Sequence, residues 1–202
     1  MDRVLEEIAC SFARLGMVKV GRFKLTSGLE SPYYIDLRKL YSYPHLAKRV
    51  AEEIAFRFNL RRFEGVVGIA TAGIALASYI GALTGIPVGY VRSERKEHGT
   101  ESVVEGVAEG RKVAIIDDVA TTGGSIERAY RALKEVGAKP VAAIVIVDRE
   151  QGARERIERL GMEFLYLLRA SEMFEILKSR GLISESDYSR IMEYLRSFSR
   201  KE

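Results

Sequence analysis

The sequence predicts an α/β fold with a mainly parallel central sheet flanked by helices. Three observations carry that prediction. Short apolar runs, rich in β-branched residues, recur at 65–70, 86–91, 113–116 and 141–147. A run that is apolar throughout marks a strand buried on both faces. Between the runs lie helical segments, at 74–83 and 126–136, the second with a clear amphipathic pattern. Two of the strand-to-helix joints are small-residue turns, Thr71-Ala72-Gly73 and Thr121-Thr122-Gly123-Gly124-Ser125. Strands that alternate with helices through short joints build a parallel sheet.

In chain order, Val4, Leu5, Ile8, Phe12 and Leu15 recur at helical spacing, so 3–15 reads as a helix ended near Gly16. Cys10 falls in that pattern as a core filler. Alternation at Phe23/Leu25 and over 34–37 predicts two short strands joined at Ser27-Gly28. Pro44 suits a first helical position, and Leu46, Ala47, Val50, Ala51, Ile54 and Phe58 give 44–58 one apolar face. His45, at that helix's start, is expected on the surface. The strand at 65–70 turns through 71–73 into the helix 74–83. That turn is either an anion site or a tight joint that needs small residues for packing. After the strand 86–91 comes a charged stretch, 92–101, without apolar anchors. Val103, Val104 and Val107 form its returning arm. Beyond the helix 126–136 and the strand 141–147, the pattern gives a helix at 152–160 and a strand at 162–168. Helices at 170–179 and 185–198 close the chain. The last starts at Ser184-x-x-Asp187, a capping-box spacing, and buries Ile191, Tyr194, Leu195 and Phe198. This tail reads as packing or dimer support, with no chemistry of its own.

Length and composition bound the function. At 202 residues the chain suits one domain, 1–202, divided into an N-terminal helix and hairpin (1–40), a core (41–169) and C-terminal helices (170–202). Hydrophobic residues make up 47% and charged residues 30%, as in soluble globular proteins. A single cysteine excludes an intrachain disulfide and suits a reducing cytoplasm. The N-terminus lacks a signal layout, and no apolar run reaches membrane-spanning length. The net charge of +4 suits anionic small molecules and does not call for nucleic acid.

The chemistry concentrates after the strand 113–116. Asp117 and Asp118 end that strand, and Val119-Ala120-Thr121-Thr122-Gly123-Gly124-Ser125 leads into the next helix. Such a loop aims several N–H groups and a helix N-terminus at one point, which is a phosphate cradle. No Gly-Lys-Ser/Thr follows, so it is not a P-loop. Two carboxylates beside a phosphate repel it unless something lies between. A ribose meets that need, since its hydroxyls donate to carboxylates while its 5-phosphate takes the N–H groups. A hydrated Mg²⁺ bridges as well.

This stretch resembles the signature of the type I phosphoribosyltransferases, which bind 5-phosphoribosyl 1-diphosphate (PRPP). The hairpin, with Phe23-x-Leu25-x-Ser27-Gly28 and Ser31-x-Tyr33-Tyr34, resembles the small N-terminal hood of the orotate phosphoribosyltransferases. Thr26 stands where many bacterial members carry a lysine, and Lys24 lies two residues earlier. The order Arg92-x-x-x-Lys96-x-His98-Gly99 resembles that family's flexible catalytic loop, with Ser93 replacing a common lysine. Ala72 stands where some relatives carry a lysine in the turn that holds pyrophosphate. The resemblance covers 20–150 closely. It implies transfer of the phosphoribosyl group from PRPP to orotate, giving orotidine 5′-phosphate and pyrophosphate on the way to UMP. It implies Arg92, Lys96 and His98 as catalytic residues that also meet PRPP. The PRPP residues are then Asp117, Asp118, Val119, Ala120, Thr121, Thr122, Gly123, Gly124 and Ser125. Thr121 and Arg149 would orient orotate. Mg²⁺ would arrive on PRPP, with water linking it to Asp117 and Asp118, and a homodimer would share the catalytic loop between subunits. By position alone, Arg149 either points from a strand end into the binding crevice or serves as a structural ion-pair partner. A purine phosphoribosyltransferase shares the PRPP loop without needing Lys96, His98 or Arg149. A PRPP- or nucleotide-sensing regulator would keep the cradle, lose Lys96 and add a helix-turn-helix. A PRPP synthase-like subunit shares the acidic pair, but the chain has no ATP-binding signature.

Overall fold

Asp2 caps the first helix by accepting the Val4 N–H at 2.9 Å, as N-cap carboxylates do. That helix, α1 (Arg3–Arg14), buries Ile8, Ala9, Cys10 and Phe12. The computed structural model describes residues 2–24, 30–92, 103–106 and 109–199. Lys96 and His98, the Ser27-Gly28 turn, Thr26 and Val107 lie outside the described residues.

The antiparallel hairpin follows as β1 (Val18–Lys24) and β2 (Glu30–Ile35). Its first strand starts at Val18, earlier than the alternation at Phe23/Leu25 predicts. Its second stops before Leu37, which begins a 3₁₀ turn, Leu37–Ser42. The Asp36 carboxylate accepts the Arg38 N–H at 3.2 Å and so converts strand to turn. Next come α2 (Pro44–Arg57), β3 (Gly65–Ile69), α3 (Ala72–Thr84) and β4 (Val88–Val91). The chain continues through β5 (Val104–Gly106), β6 (Lys112–Ala120), α4 (Gly124–Glu135) and β7 (Lys139–Asp148). It closes with α5 (Ala153–Arg159), β8 (Glu163–Arg169), α6 (Ala170–Ser179) and α7 (Glu185–Ser199). His45 is exposed, as expected.

The main sheet has six strands in the order β5-β4-β3-β6-β7-β8. All its pairings are parallel except that of β5, which runs antiparallel to β4. Side chains alternate between two cores. Ala114 and Ile116 of β6, with Ala142 and Ile144 of β7, face the core shared with α1, α2, α3, α6 and α7. Val113 and Ile115, with Ala143 and Val145, face the core of α4 and α5. Both faces are covered, which is why these strands read as continuous apolar runs. Each fully buried Ile or Val contributes about 1.5–3 kcal/mol.

One expectation needs correction at β6. The acidic pair does not end the strand, because β6 runs on through Asp117 and Asp118 to Ala120. The ladder to β7 holds to the end, with Val119 opposite Val147 and Ala120 opposite Asp148. Polar side chains misled the reading, whereas the backbone pairing is indifferent to them. At α7, Asp187 N–H donates to Ser184 Oγ at 3.0 Å, so the cap forms. The Asp187 carboxylate returns to the Ser184 hydroxyl at 2.7 Å and not to its backbone.

Candidate active site

The C-terminal ends of β3, β4, β6 and β7 lie side by side along one edge of the sheet. In an open parallel sheet that edge is where ligands bind. It gathers the acidic pair, the glycine-hydroxyl turn, Arg92 and the segment after β7. A groove of about 410 Å³ along α4 takes in Ala70, Arg92 and Ser125, so the ends of β3 and β4 and the start of α4 share one concavity.

Asp117 and Asp118 are half-buried. Asp117 Oδ1 accepts the Asp118 N–H at 3.0 Å and its Oδ2 accepts the Ser125 hydroxyl at 3.3 Å. Asp118 Oδ1 accepts the Val119 N–H at 2.9 Å. Burial, followed by the adjacent Asp118 charge, holds the Asp117 carboxyl well above the usual carboxylate range. Burial raises Asp118 too. Neither carboxylate pairs with a cation among the described residues. Two such carboxylates near the C-terminal end of β6 fit ribose hydroxyls or a hydrated cation brought by a ligand. The described residues contain no protein-only cluster of metal ligands.

The turn after β6 works because of Gly123, the N-cap of α4, which has φ +76°. A Cβ there would stand 3.3 Å from Ala153 Cα, so glycine serves both the left-handed backbone and the approach of α5. Behind it, the first N–H groups of α4 have no intrahelical acceptors and face the crevice end of the sheet. The turn at 71–73 is tight for packing. A Cβ on Gly73 would stand 2.3 Å from Ile116 O, and one on Gly68 would stand 2.4 Å from Gly73 O. The Ala70–Thr71 peptide is cis.

Among the described residues Arg149 forms no ion pair, so the structural salt-bridge alternative finds no partner there. Only 7% exposed, Arg149 lies with its guanidinium carbon 4.8 Å from the centre of the Tyr33 ring. Its Nε and Nη2 are buried without hydrogen-bond partners, and so is Tyr33 Oη. Burial raises the Tyr33 phenol above its ordinary pKa, while the Arg149 charge pulls the other way. The Arg149 N–H donates to Ala120 O at 2.9 Å, which ties it to the end of β6. Arg92 N–H donates to Val103 O at 2.9 Å, and Nη1 lies 3.5 Å from Glu105 Oε1.

Sequence reasoning missed several neighbours of this edge. Tyr41, in the 3₁₀ turn, donates its hydroxyl to Ala72 O at 2.7 Å. Burial, then the charges of Asp118 and Asp117, raises that phenol above its ordinary pKa. Arg38 holds Asp36 through Nε at 2.7 Å and Nη2 at 2.9 Å. The tail also takes part, since Tyr33 packs against Phe174 of α6 at 4.8 Å and Tyr194 of α7 at 5.9 Å between ring centres. No periodicity signals these contacts, because they join distant elements.

A parallel sheet with an acidic strand end and a glycine-hydroxyl turn is the architecture of a phosphoribosyltransferase, and the Phosphoribosyl transferase domain family matches residues 37–159. An orotate phosphoribosyltransferase of Staphylothermus marinus is 45% identical over 194 residues, covering 96% of this chain and 96% of that protein. The chain belongs to the orotate phosphoribosyltransferase family. Among solved structures, Leishmania donovani UMP synthase superposes with a TM-score of 0.86 at 30% identity. That match covers 95% of this chain, which spans 42% of the UMP synthase chain. The orotate phosphoribosyltransferase of Mycobacterium tuberculosis H37Rv in complex with PRPP gives a TM-score of 0.68 at 27% identity, covering 84% of this chain and 98% of that one. None of the described helices is long and apolar enough to cross a membrane.

Proposed function

We propose that residues 117–125 hold PRPP and that Thr121 and Arg149 hold orotate, in the reaction of this family: orotate and PRPP give orotidine 5′-phosphate and pyrophosphate. One observation carries the base assignment. Arg149 buries two hydrogen-bond donors with no acceptor, next to the end of β6. A buried, unpaired guanidinium is costly and calls for an anionic partner. Orotate supplies a planar carboxylate, whereas a neutral purine leaves the charge uncompensated.

The ribose hydroxyls would take Asp117 and Asp118, and the 5-phosphate would take the N–H groups at the start of α4. The acidic pair would thus hold C1′ toward the base. As the bond from C1′ to pyrophosphate lengthens, the ribose becomes cationic and the departing group gains negative charge. Arg92, with Lys96 and His98 of the charged loop, would neutralise that group. Mg²⁺ carried by PRPP would add charge stabilisation, and its fit rests on the two carboxylates, which have no cationic partner among the described residues. Closure of the loop would exclude water, which otherwise hydrolyses PRPP. The working form would be a cytoplasmic homodimer.

A base screen with PRPP and Mg²⁺, following pyrophosphate release, tests the reading. Orotate should turn over fastest. Faster turnover of adenine, guanine or hypoxanthine would overturn the base assignment and leave the PRPP site standing.

A further inference from the structure

Residues 148–151 leave β7 in a turn that is tied at every position. The Asp148 carboxylate accepts the Glu150 N–H at 2.9 Å. Arg149 N–H donates to Ala120 O at 2.9 Å. The Glu150 carboxylate accepts from Ser171 N–H at 2.7 Å and from the Ser171 hydroxyl at 3.0 Å, both in the first turn of α6. Gln151 Nε2 donates to the Tyr194 hydroxyl of α7 at 3.3 Å.

Glu150 itself has φ +56°. For a residue with a Cβ this left-handed conformation costs on the order of 1 kcal/mol or more, and it persists only where the surroundings enforce it. The two bonds from Ser171 are that enforcement, and a carboxylate is favoured at a helix N-terminus. The neighbouring Arg149 benefits. With no counter-ion among the described residues to fix its guanidinium, its direction depends on its backbone and on the ring beneath it. Tyr33, 0% exposed, is in turn braced by Phe174 and Tyr194.

We infer that Glu150 is a positioning residue for base recognition: bonded to Ser171 at the N-terminus of α6, it holds the left-handed turn that sets the Arg149 guanidinium over Tyr33. This rests on the reading of Arg149 as the orotate residue. The C-terminal helices thereby reach the base site without touching substrate.

Three variants test it, with Arg149→Ala as reference and KM for orotate, KM for PRPP, kcat and melting temperature as readouts. Glu150→Gly adopts the positive φ freely but loses the anchor. It should raise the orotate KM about tenfold, the scale of a misplaced orienting group, with the PRPP KM within about twofold. Ser171→Ala, a milder change that keeps the fold testable if Glu150→Gly does not fold, should raise the orotate KM about threefold. Glu150→Gln retains an acceptor and should recover most of the wild-type orotate KM. The inference is overturned if Arg149→Ala raises the orotate KM while Glu150→Gly and Ser171→Ala do not. It is equally overturned if both KM values rise together with a lower melting temperature, or if Gln behaves as Gly does. If the wild-type chain does not use orotate, or Arg149→Ala leaves its KM unchanged, the reading of the base site fails first and takes this inference with it.

Discussion

Asp148 shows how a single residue at the crevice edge ties stability to pH. Burial pushes its carboxyl up to about 6, against an ordinary value of 3.8. The native state therefore holds this proton more tightly than the unfolded chain does. The stability it contributes is fully present below pH 3.8 and is lost as pH rises through about 6. Asp148→Asn keeps the shape and an acceptor for the Glu150 N–H but cannot ionise. The wild type should lose on the order of 2 kcal/mol relative to this variant between pH 4 and pH 7.5, read as diverging melting temperatures. Parallel melting curves across that range would show that Asp148 ionises as freely when folded as when unfolded. Asp117, also raised by burial and by Asp118, adds to the same trend in the wild type and the variant alike. Residue identity told much here. Asp117, Asp118, Thr121, Gly123 and Ser125 sit at one sheet edge, as their spacing implied, and Arg149 lies beside them. Tyr33 was legible through its place in the hood, but its contact with Arg149 was not. Glu150 and Tyr194 were illegible as site neighbours, because nothing local in the sequence states which distant ring a guanidinium will cover.

Among the elements, α3 and β6 are fitted to each other through a missing side chain. Sequence left the turn at 71–73 open between anion binding and packing, and the structure supplies the packing half. A Cβ on Gly73 would press within 2.3 Å of the Ile116 carbonyl oxygen, a backbone atom that no rotamer change can move away. Gly73→Ala should therefore destabilise by about 1–3 kcal/mol, the usual cost of overpacking. For a chain of this size that lowers the melting temperature by roughly 2–12 °C. An unchanged melting temperature would mean that α3 shifts off β6 at little cost. Helices and buried strands were legible because burial on both sheet faces writes apolar runs and helical stripes directly into the sequence. Boundaries failed where polar residues took part in regular backbone. β6 carries two carboxylates inside its ladder, and β1 begins at Val18 because pairing with β2 outweighs its mixed side chains. The tail helices formed where expected, yet their role at Tyr33 and Glu150 appears only when α6 and α7 are packed against β2 and the end of β7.

At the scale of the whole molecule, the charged loop at 92–101 sets the remaining question, namely whose site it completes. It starts at Arg92, at the end of β4, while Asp118 lies on β6, with β3 between the two strands. The stretch carries Arg92, Arg95, Lys96 and His98 and no apolar anchor to its own core. Its richest anionic target is PRPP, and in a twofold dimer a loop that reaches across does so reciprocally. We expect Lys96 to act on the neighbouring subunit's site, and two inactive variants can decide it. Lys96→Ala spoils the site it reaches into, whereas Asp118→Ala spoils the site on its own chain. In a mixed dimer with the loop acting in trans, both defects fall on one site and the other is whole. After an equal mixture is unfolded and refolded, random pairing makes roughly half the dimers mixed, each with one good site, so about a quarter of wild-type activity should return. With the loop acting in cis, every site carries one defect and the mixture stays as inactive as its parents. Differently tagged chains establish that mixed dimers have formed. Inactivity in that confirmed population would end the trans arrangement while leaving the charge of Lys96 available to its own site.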